Sequence, residues 1–553
     1  MTQTLTAPAA RWAIPSRSVP RPTRASVRAL GPVAVAGIIV TIGHMAGWRG
    51  VDTAAQVYRV ESYQSNGFAL WDFSWYGGHW TLDYSVAYPV LAGTFGILLM
   101  TVLSATVATL GFERLARAHL GPAGEAASYV FALGTLVAAS IGQLTFLAGE
   151  AFGLPALWAM ARGRRGWALV LALGCTLTSP LTGAFLAMAA AAWFLDRARQ
   201  RDHRMVLAAG VAAVAGLPIL TAAIVFPGDG AMPYPAIDWV WEVGVAVGVA
   251  VFAGRRRAPL AIGAVLFIVA ASVSEMVPSS LGGNIGRLED LIALPIGVAL
   301  AWDRLPVFLP FAAVPLFLSQ WGPAWSAFTT APAQPSTHEA FFAPLDQELK
   351  NLVGAGPAGR VEVVPTAYHW ESAFVAPVMP LARGWERQLD EADNPLFYRP
   401  LGPTPTAYRS WLLDNGVRFV ALPTAPLDMA GQAEGAMVAD GRVQGLRLTW
   451  QSADWRLYEV QGSPGIVSGA AALISTQGNR VVLDVRQPGP VTIRIRWSPD
   501  WYVAEGAGCV ERKQDWMSVD VVTTGEVSLQ MSLFEPDRTA CPTTIVAAGA
   551  PNS

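Results

Sequence analysis

From Val33 to Gln320 the chain repeats one pattern, a long apolar run followed by a short cluster of arginines. Val33–Gly47, Val206–Phe226 and Leu260–Val273 are nearly free of charge. A helix needs about 20 apolar residues to cross a bilayer, and these runs come close to that length. With 53% hydrophobic and only 14% charged residues over 553 positions, the composition also departs from that of an ordinary soluble protein. The chain therefore reads as a polytopic α-helical membrane protein with further domains behind the helices.

The arginines orient those helices, because positive residues near span ends stay on the cytoplasmic side. The clusters are Arg11 to Arg28, Arg114 with Arg117, Arg162 to Arg165, Arg197 to Arg204, Arg255 to Arg257, and Arg304. Neighbouring clusters are then bridged by one outward and one returning helix. Between Arg165 and Arg197 the run WALVLALGCTLTSPLTGAFLAMAAAAWFL obeys this rule only if it bends, and Thr178-Ser179-Pro180 is the place for the bend. Its arms are short, which admits either two spans or a partly re-entrant pair. Applied throughout, the rule predicts about eleven spans, near 29–47, 86–110, 125–142, 146–161, 167–178, 181–195, 205–226, 239–254, 258–276, 288–302 and 305–320. The tail 1–28 lies inside and everything after Trp321 lies outside. No small-residue cleavage site follows Gly47, so the first span is retained rather than removed as a signal peptide.

After Ala324 the apolar runs shorten and mix with proline, acids and aromatics. Helical stretches (338–352, 407–415) alternate there with strand-like runs (361–365, 417–422, 446–450, 455–460), which predicts an α/β domain over 321–462. From 463 to 553 only strands remain, among them 480–485, 491–497, 517–522 and 527–531, the pattern of a β-sandwich. With that region outside, Cys509 and Cys541 either pair as a disulfide or remain two thiols.

Ionisable residues collect at the outer ends of the helices, where polar groups at membrane depth are costly and mark function. Asp52 follows the first span closely; it is either a helix N-cap or a carboxylate able to take a proton from a hydroxyl acceptor. In GGNIGRLED, Arg287 and Glu289 open a helix, and Arg287 is either a phosphate contact or an interfacial anchor paired with an acid. Glu150 lies just inside its span from the same side. The connection WDFSWYGGHWTLDY brings Asp72, Trp75, Tyr76, His79, Asp83 and Tyr84 together. Interfacial aromatics explain part of it, but aromatic faces beside carboxylates and a histidine also suit a polar small-molecule pocket. There is no His-Glu-x-x-His, Cys-x-x-Cys, Walker loop or Gly-x-Ser-x-Gly, and no basic stripe for nucleic acid. No cofactor is indicated; a divalent cation stays open, although Val51 and Thr53 rather than a second acid flank Asp52.

The early outer aspartate, the W-D-x-x-W-Y-G-G element at Trp71–Gly78, the Y-S-x-x-Y-P element at Tyr84–Pro89, the bent Thr-Ser-Pro hairpin and Arg287 together resemble the GT-C superfamily of integral membrane glycosyltransferases. The stretches around His369-Trp370-Glu371, Arg383–Asp390, Tyr408–Leu413 and Gly416–Pro423 look like actinobacterial membrane proteins of the same layout. The resemblance implies a bacterial plasma-membrane enzyme with extracytoplasmic C-terminal domains. Its donor would be a polyprenyl-phosphate-linked sugar and its acceptor a hydroxyl of an envelope glycan, a lipid or a protein. Asp52 would be the general base and Arg287 the lipid-phosphate contact, with Asp72, Trp75, Tyr76, His79, Asp83, Tyr84, Glu150 and Glu289 binding substrate. Two other classes stay open: a transporter or flippase, and a non-catalytic glycan-binding scaffold.

Overall fold

The structure, a computed structural model, describes residues 24–227, 230–302, 309–354 and 356–534. Arg11, Arg17, Arg21, Arg304, Cys541 and the start of the expected span at 305–320 lie outside the described residues. Helices α1 (Arg24–Met45) and α2 (Thr53–Asn66) lead into a hairpin of β1 (Trp71–Asp72) and β2 (His79–Trp80). There follow α3 (Tyr88–Phe95), α4 (Ile97–Leu120), α5 (Ala123–Ile141), α6 (Leu144–Ala161), α7 (Arg165–Thr178), α8 (Pro180–Arg199) and α9 (Met205–Val225). The helical part closes with α10 (Ala236–Ala253), α11 (Ala258–Met276), α12 (Gly286–Trp302) and α13 (Leu309–Trp321).

Among the described residues, five helical runs are long and apolar enough to cross a membrane: α4, α5, α6, α9 and the 41-residue run Ala236–Met276. As one straight helix that last run would extend about 60 Å, twice the hydrocarbon thickness. It is divided instead at Gly254, whose φ of +52° leaves the helical region, and α10 packs against α11. The bend expected at 178–180 is present: Ser179 is extended, ends α7, and accepts a hydrogen bond from the Thr182 amide to start α8. One expected span is broken. The run 86–110 divides at Gly96 (φ +87°) into α3 and α4, and α4 continues through Arg114 and Arg117 to Leu120. Those arginines sit on the helix rather than beyond it because the buried Glu113 carboxylate holds Arg117, one turn on, at 2.7 Å.

Behind the helices, α14 (Trp325–Thr329), α15 (Glu339–Leu352), β3 (Arg360–Val363), α16 (Glu371–Phe374), α17 (Arg387–Asp393), α18 (Pro405–Asp414), β4 (Val417–Pro423), α19 (Met429–Ala439), β5 (Leu446–Gln451) and β6 (Trp455–Val460) form one α/β unit. Its sheet runs β3-β4-β6-β5, parallel between β3 and β4 and antiparallel elsewhere. The two-residue strand period sends Phe419 and Ala421 into one core and Val420 and Leu422 into the other, so the sheet is covered on both faces. A second strand-rich unit holds β7 (Val467–Ser468), β8 (Ala471–Gln477), β9 (Arg480–Val485), β10 (Gly489–Arg496), β11 (Trp501–Glu505), β12 (Gly508–Lys513), β13 (Trp516–Val521) and β14 (Gly525–Met531). Its sheets run β12-β13-β10-β7 and β11-β14-β9-β8, with alternate residues such as Leu483, Ile493, Val519 and Leu529 meeting between them. The buried Arg360 guanidinium joins the two units, donating to the carbonyls of Asn415 (2.7 Å) and Arg494.

Candidate functional site

The connection between α1 and α3 builds two different things. Its first part places Asp52. Gly50 donates its amide to the Ser140 carbonyl at 2.6 Å, and the Asp52 amide reaches the Ile141 carbonyl at 3.1 Å, so the chain is pinned to the end of α5. The fit needs a residue without a Cβ, since one at Gly50 would come within 2.7 Å of that same Ser140 oxygen. Asp52 then occupies the N-cap position of α2, but its side chain makes no capping hydrogen bond. The cap expected as one alternative is therefore not formed. The carboxylate turns instead to Arg287 at the start of α12, Oδ2 to guanidinium 3.4 Å, with each side chain roughly one-fifth to one-quarter exposed. Two residues separated by 235 positions meet at helix starts.

The face of α2 that begins at Asp52 continues through Gln56 and Arg59, at i+4 and i+7. Gln56 is buried and donates to the Tyr84 hydroxyl at 2.8 Å, while its own carbonyl oxygen has no partner. Arg59 lies 3.6 Å over the Tyr84 ring and pairs with Glu386 at 2.8 Å. Burial opposes the Arg59 charge, yet Glu386, Tyr84, Asp83 and Asp72 around it outweigh that cost and raise its pKa. A small cavity opens beside Arg59, about 60 Å³, with Tyr63, Asp72, His79, Tyr84 and Pro89 in its lining. Asp72 Oδ1 accepts from the Tyr58 hydroxyl (2.9 Å) and the Ser74 amide (2.7 Å), and the buried Nδ1 of His79 has no partner. Asp83 adds its charge to the surroundings of Arg59. By helical rise the cavity's Arg59 lies about 10 Å from Asp52.

The second part of the connection turns inward. Trp75 and Tyr76 are fully buried in the core of the α/β unit, while Trp71 and Trp80 pack into the core of the β-sandwich with a little of their surface left exposed. Trp75 donates from its indole to the Ser372 carbonyl (3.3 Å) and stacks on Tyr58 (4.3 Å between centroids) and His79 (5.7 Å). The Tyr76 hydroxyl accepts from the Glu386 amide at 2.9 Å; burial first, then nearby Asp390 and Glu386, push its pKa far up. Three successive positive φ angles, 58°, 82° and 117° at Tyr76, Gly77 and Gly78, make the turn, and a Cβ at Gly78 would run into the Trp71 indole. Trp75 and Tyr76 were expected to bind substrate; here their surface is spent on protein packing.

Two further acids stand apart from the pair. Glu150 is buried in α6, and no hydrogen bond or ion pair among the described residues links it to Asp52 or Arg287. Glu289, two residues past Arg287, faces a separate cavity among the helices. Gln56, Arg59 and Glu386 were missed by the sequence reading; the i, i+4, i+7 spacing from Asp52 was the signal for the first two, and nothing local marks Glu386. No family model matches the chain, and no curated protein matches it.

Proposed function

We propose that the chain is a GT-C-type membrane glycosyltransferase with about eleven spans, its N-terminus cytoplasmic and its α/β (321–462) and β-sandwich (463–553) units extracytoplasmic. The observation that carries this reading is the Asp52–Arg287 pair, which sets a carboxylate and a guanidinium side by side at the starts of two helices. In the resting protein each charge is held by the other. A lipid-linked sugar phosphate competes for the Arg287 guanidinium, whose planar fork suits phosphate oxygens, and so releases Asp52. Asp52 then accepts the proton of an acceptor hydroxyl as its oxygen bonds to the anomeric carbon. The bond from that carbon to the phosphate oxygen breaks, the electron pair leaves with the lipid phosphate, and Arg287 holds its charge. One displacement inverts the anomeric carbon. Arg59, Asp72, His79 and Tyr84 in the neighbouring cavity would orient the polar groups of a substrate lying along α2.

The test is transfer by the purified, reconstituted protein from polyprenyl-phosphate sugars to a hydroxyl acceptor. Asp52→Asn, with the fold intact, is expected to lower turnover by about a hundredfold or more, the usual range for a general base. Arg287→Ala is expected to raise the donor requirement and slow transfer. Turnover insensitive to both changes, or a product with retained anomeric configuration, removes this assignment. Binding of glycan without turnover would favour the scaffold reading, which gains from Asp52 being a single carboxylate already ion-paired.

A further inference from the structure

Helices α4, α6, α8, α10, α11 and α12 enclose a cavity of about 600 Å³ that the Asp52 site does not use. Its walls are apolar, with Phe112, Leu154, Phe185, Val245, Phe267 and Ile292 among them. The two ends differ. At one end Glu242 and Glu289 line the cavity, and both Glu289 carboxyl oxygens are buried without a hydrogen-bond partner. At the other end stand Arg197, Arg255, Arg256 and Arg257. The step along α10 from Glu242 to Arg255 is about 20 Å, well over half of the hydrocarbon thickness of a bilayer.

The arginine end carries surplus charge. Asp196 lines it but accepts from Gln200 at 2.8 Å, and Asp202 pairs with Arg197 at 3.3 Å. Arg197 Nε is nevertheless buried with no hydrogen-bond partner, and Arg255 and Arg256 have no ion-pair partner among the described residues. We propose that this cavity binds one chain of an anionic phospholipid, with the phosphate held among Arg197, Arg255 and Arg256. The apolar length excludes a small polar solute and suits a hydrocarbon chain, while guanidinium forks suit the phosphate. Basic pockets between spanning helices are a recurrent way to hold anionic headgroups. Guanidinium groups stand at one end of the cavity only, so the phosphate end of the lipid has one place to bind. The arginine end of this site is remote from Asp52 and Arg287; only the glutamate end, at Glu289, lies near the start of α12 where Arg287 stands.

The experiment is native mass spectrometry of the full-length protein after exposure to vesicles of phosphatidylglycerol or phosphatidylcholine, with thermal midpoints recorded to confirm folding. The wild type is expected to retain the anionic lipid over the zwitterionic one by about tenfold or more. The triple variant Arg197→Gln, Arg255→Gln, Arg256→Gln, at the helix ends, is expected to lose that preference while still retaining lipid. Ala189→Trp, which fills the cavity from its wall, is expected to lose both lipids. Equal retention of the two lipids by the wild type overturns the proposal, as does an undiminished preference in the triple variant or full retention by folded Ala189→Trp. Displacement of the lipid by glycerol 3-phosphate would overturn it in favour of a free phosphate ester.

Discussion

Asp52 and the hairpin Trp71–Trp80 belong to the same connection, between the first helix and the third, and both are built from residue types that suggest a binding site. They end in opposite roles. Among the described residues the Asp52 carboxylate meets one ion-pair partner, Arg287, and stays partly open to solvent. The hairpin divides its aromatics between two hydrophobic cores, Trp75 and Tyr76 in one and Trp71 and Trp80 in the other, so that it bolts the helical part to both C-terminal units. The difference teaches that a polar, aromatic, glycine-rich loop announces specific contacts without saying whether they are made to a ligand or to the rest of the chain.

The sharpest way to break the comparison is to exchange the readouts. Trp75→Ala removes a fully buried indole stacked on Tyr58 and hydrogen-bonded to Ser372, and is expected to cost about 3–5 kcal/mol of stability, the usual range for truncating a core tryptophan. Asp52→Asn breaks a partly exposed ion pair and is expected to cost at most about 1 kcal/mol. Thermal unfolding in detergent measures both. A large loss for Asp52→Asn alongside a neutral Trp75→Ala would reverse the two assignments.

A smaller effect tests the hairpin's turn. Gly78→Ala forces a Cβ into the Trp71 indole at a φ of 117°, strain worth about 1–3 kcal/mol, and should lower the midpoint less than Trp75→Ala does. A variant as stable as the wild type would mean that the Gly-Gly pair serves something other than the turn.

Much of the fold was legible in the sequence because the helices are long and their breaks are chemical. Ser179-Pro180 and the arginines at 255–257 mark real ends of helices. Gly96 was passed over because it lies in an unbroken apolar run, where nothing but its backbone angle separates α3 from α4. In the sandwich, β9, β10, β13 and β14 were readable from their alternation, whereas β7, β8, β11 and β12 mix exposed and half-buried positions that blur the two-residue period. At the site, the two residues named for chemistry are brought together, but two of the aromatics named for substrate contact, Trp75 and Tyr76, are not left open, whereas Tyr84 lines the cavity beside Arg59. Inward and outward tryptophans look alike until the partner surfaces, residues 360–531 further along the chain, are known.

The smallest expected effect concerns pH and the surface that receives the hairpin. His369, whose turn hands the Ser372 carbonyl to Trp75, is buried with Nδ1 3.3 Å from Glu371 and Nε2 3.5 Å from Asp428, its ring stacked on Trp385 at 3.6 Å. Burial works against its charge, but hydrogen bonding to Asp428 and Glu371 and their charges prevail, and its pKa is raised above the ordinary 6.5. Asp428, with His369 and Arg387 beside it, is held well below the usual carboxylate range despite its burial. A histidine raised on folding stabilises fully below its unfolded value, and that contribution is lost as pH rises through the folded value. A depressed aspartate loses its contribution only as pH falls through the depressed value, so of this pair only the histidine moves as pH rises above its ordinary 6.5. The His369 contribution to the thermal midpoint should therefore be lost as pH rises above 6.5, so the wild type should decline more steeply than His369→Gln, while the burial-raised Asp346 and Asp393 act equally on both. If the two curves stay parallel, the dock for Trp75 is held by packing alone, and the contrast with the charged Asp52–Arg287 pair becomes sharper still.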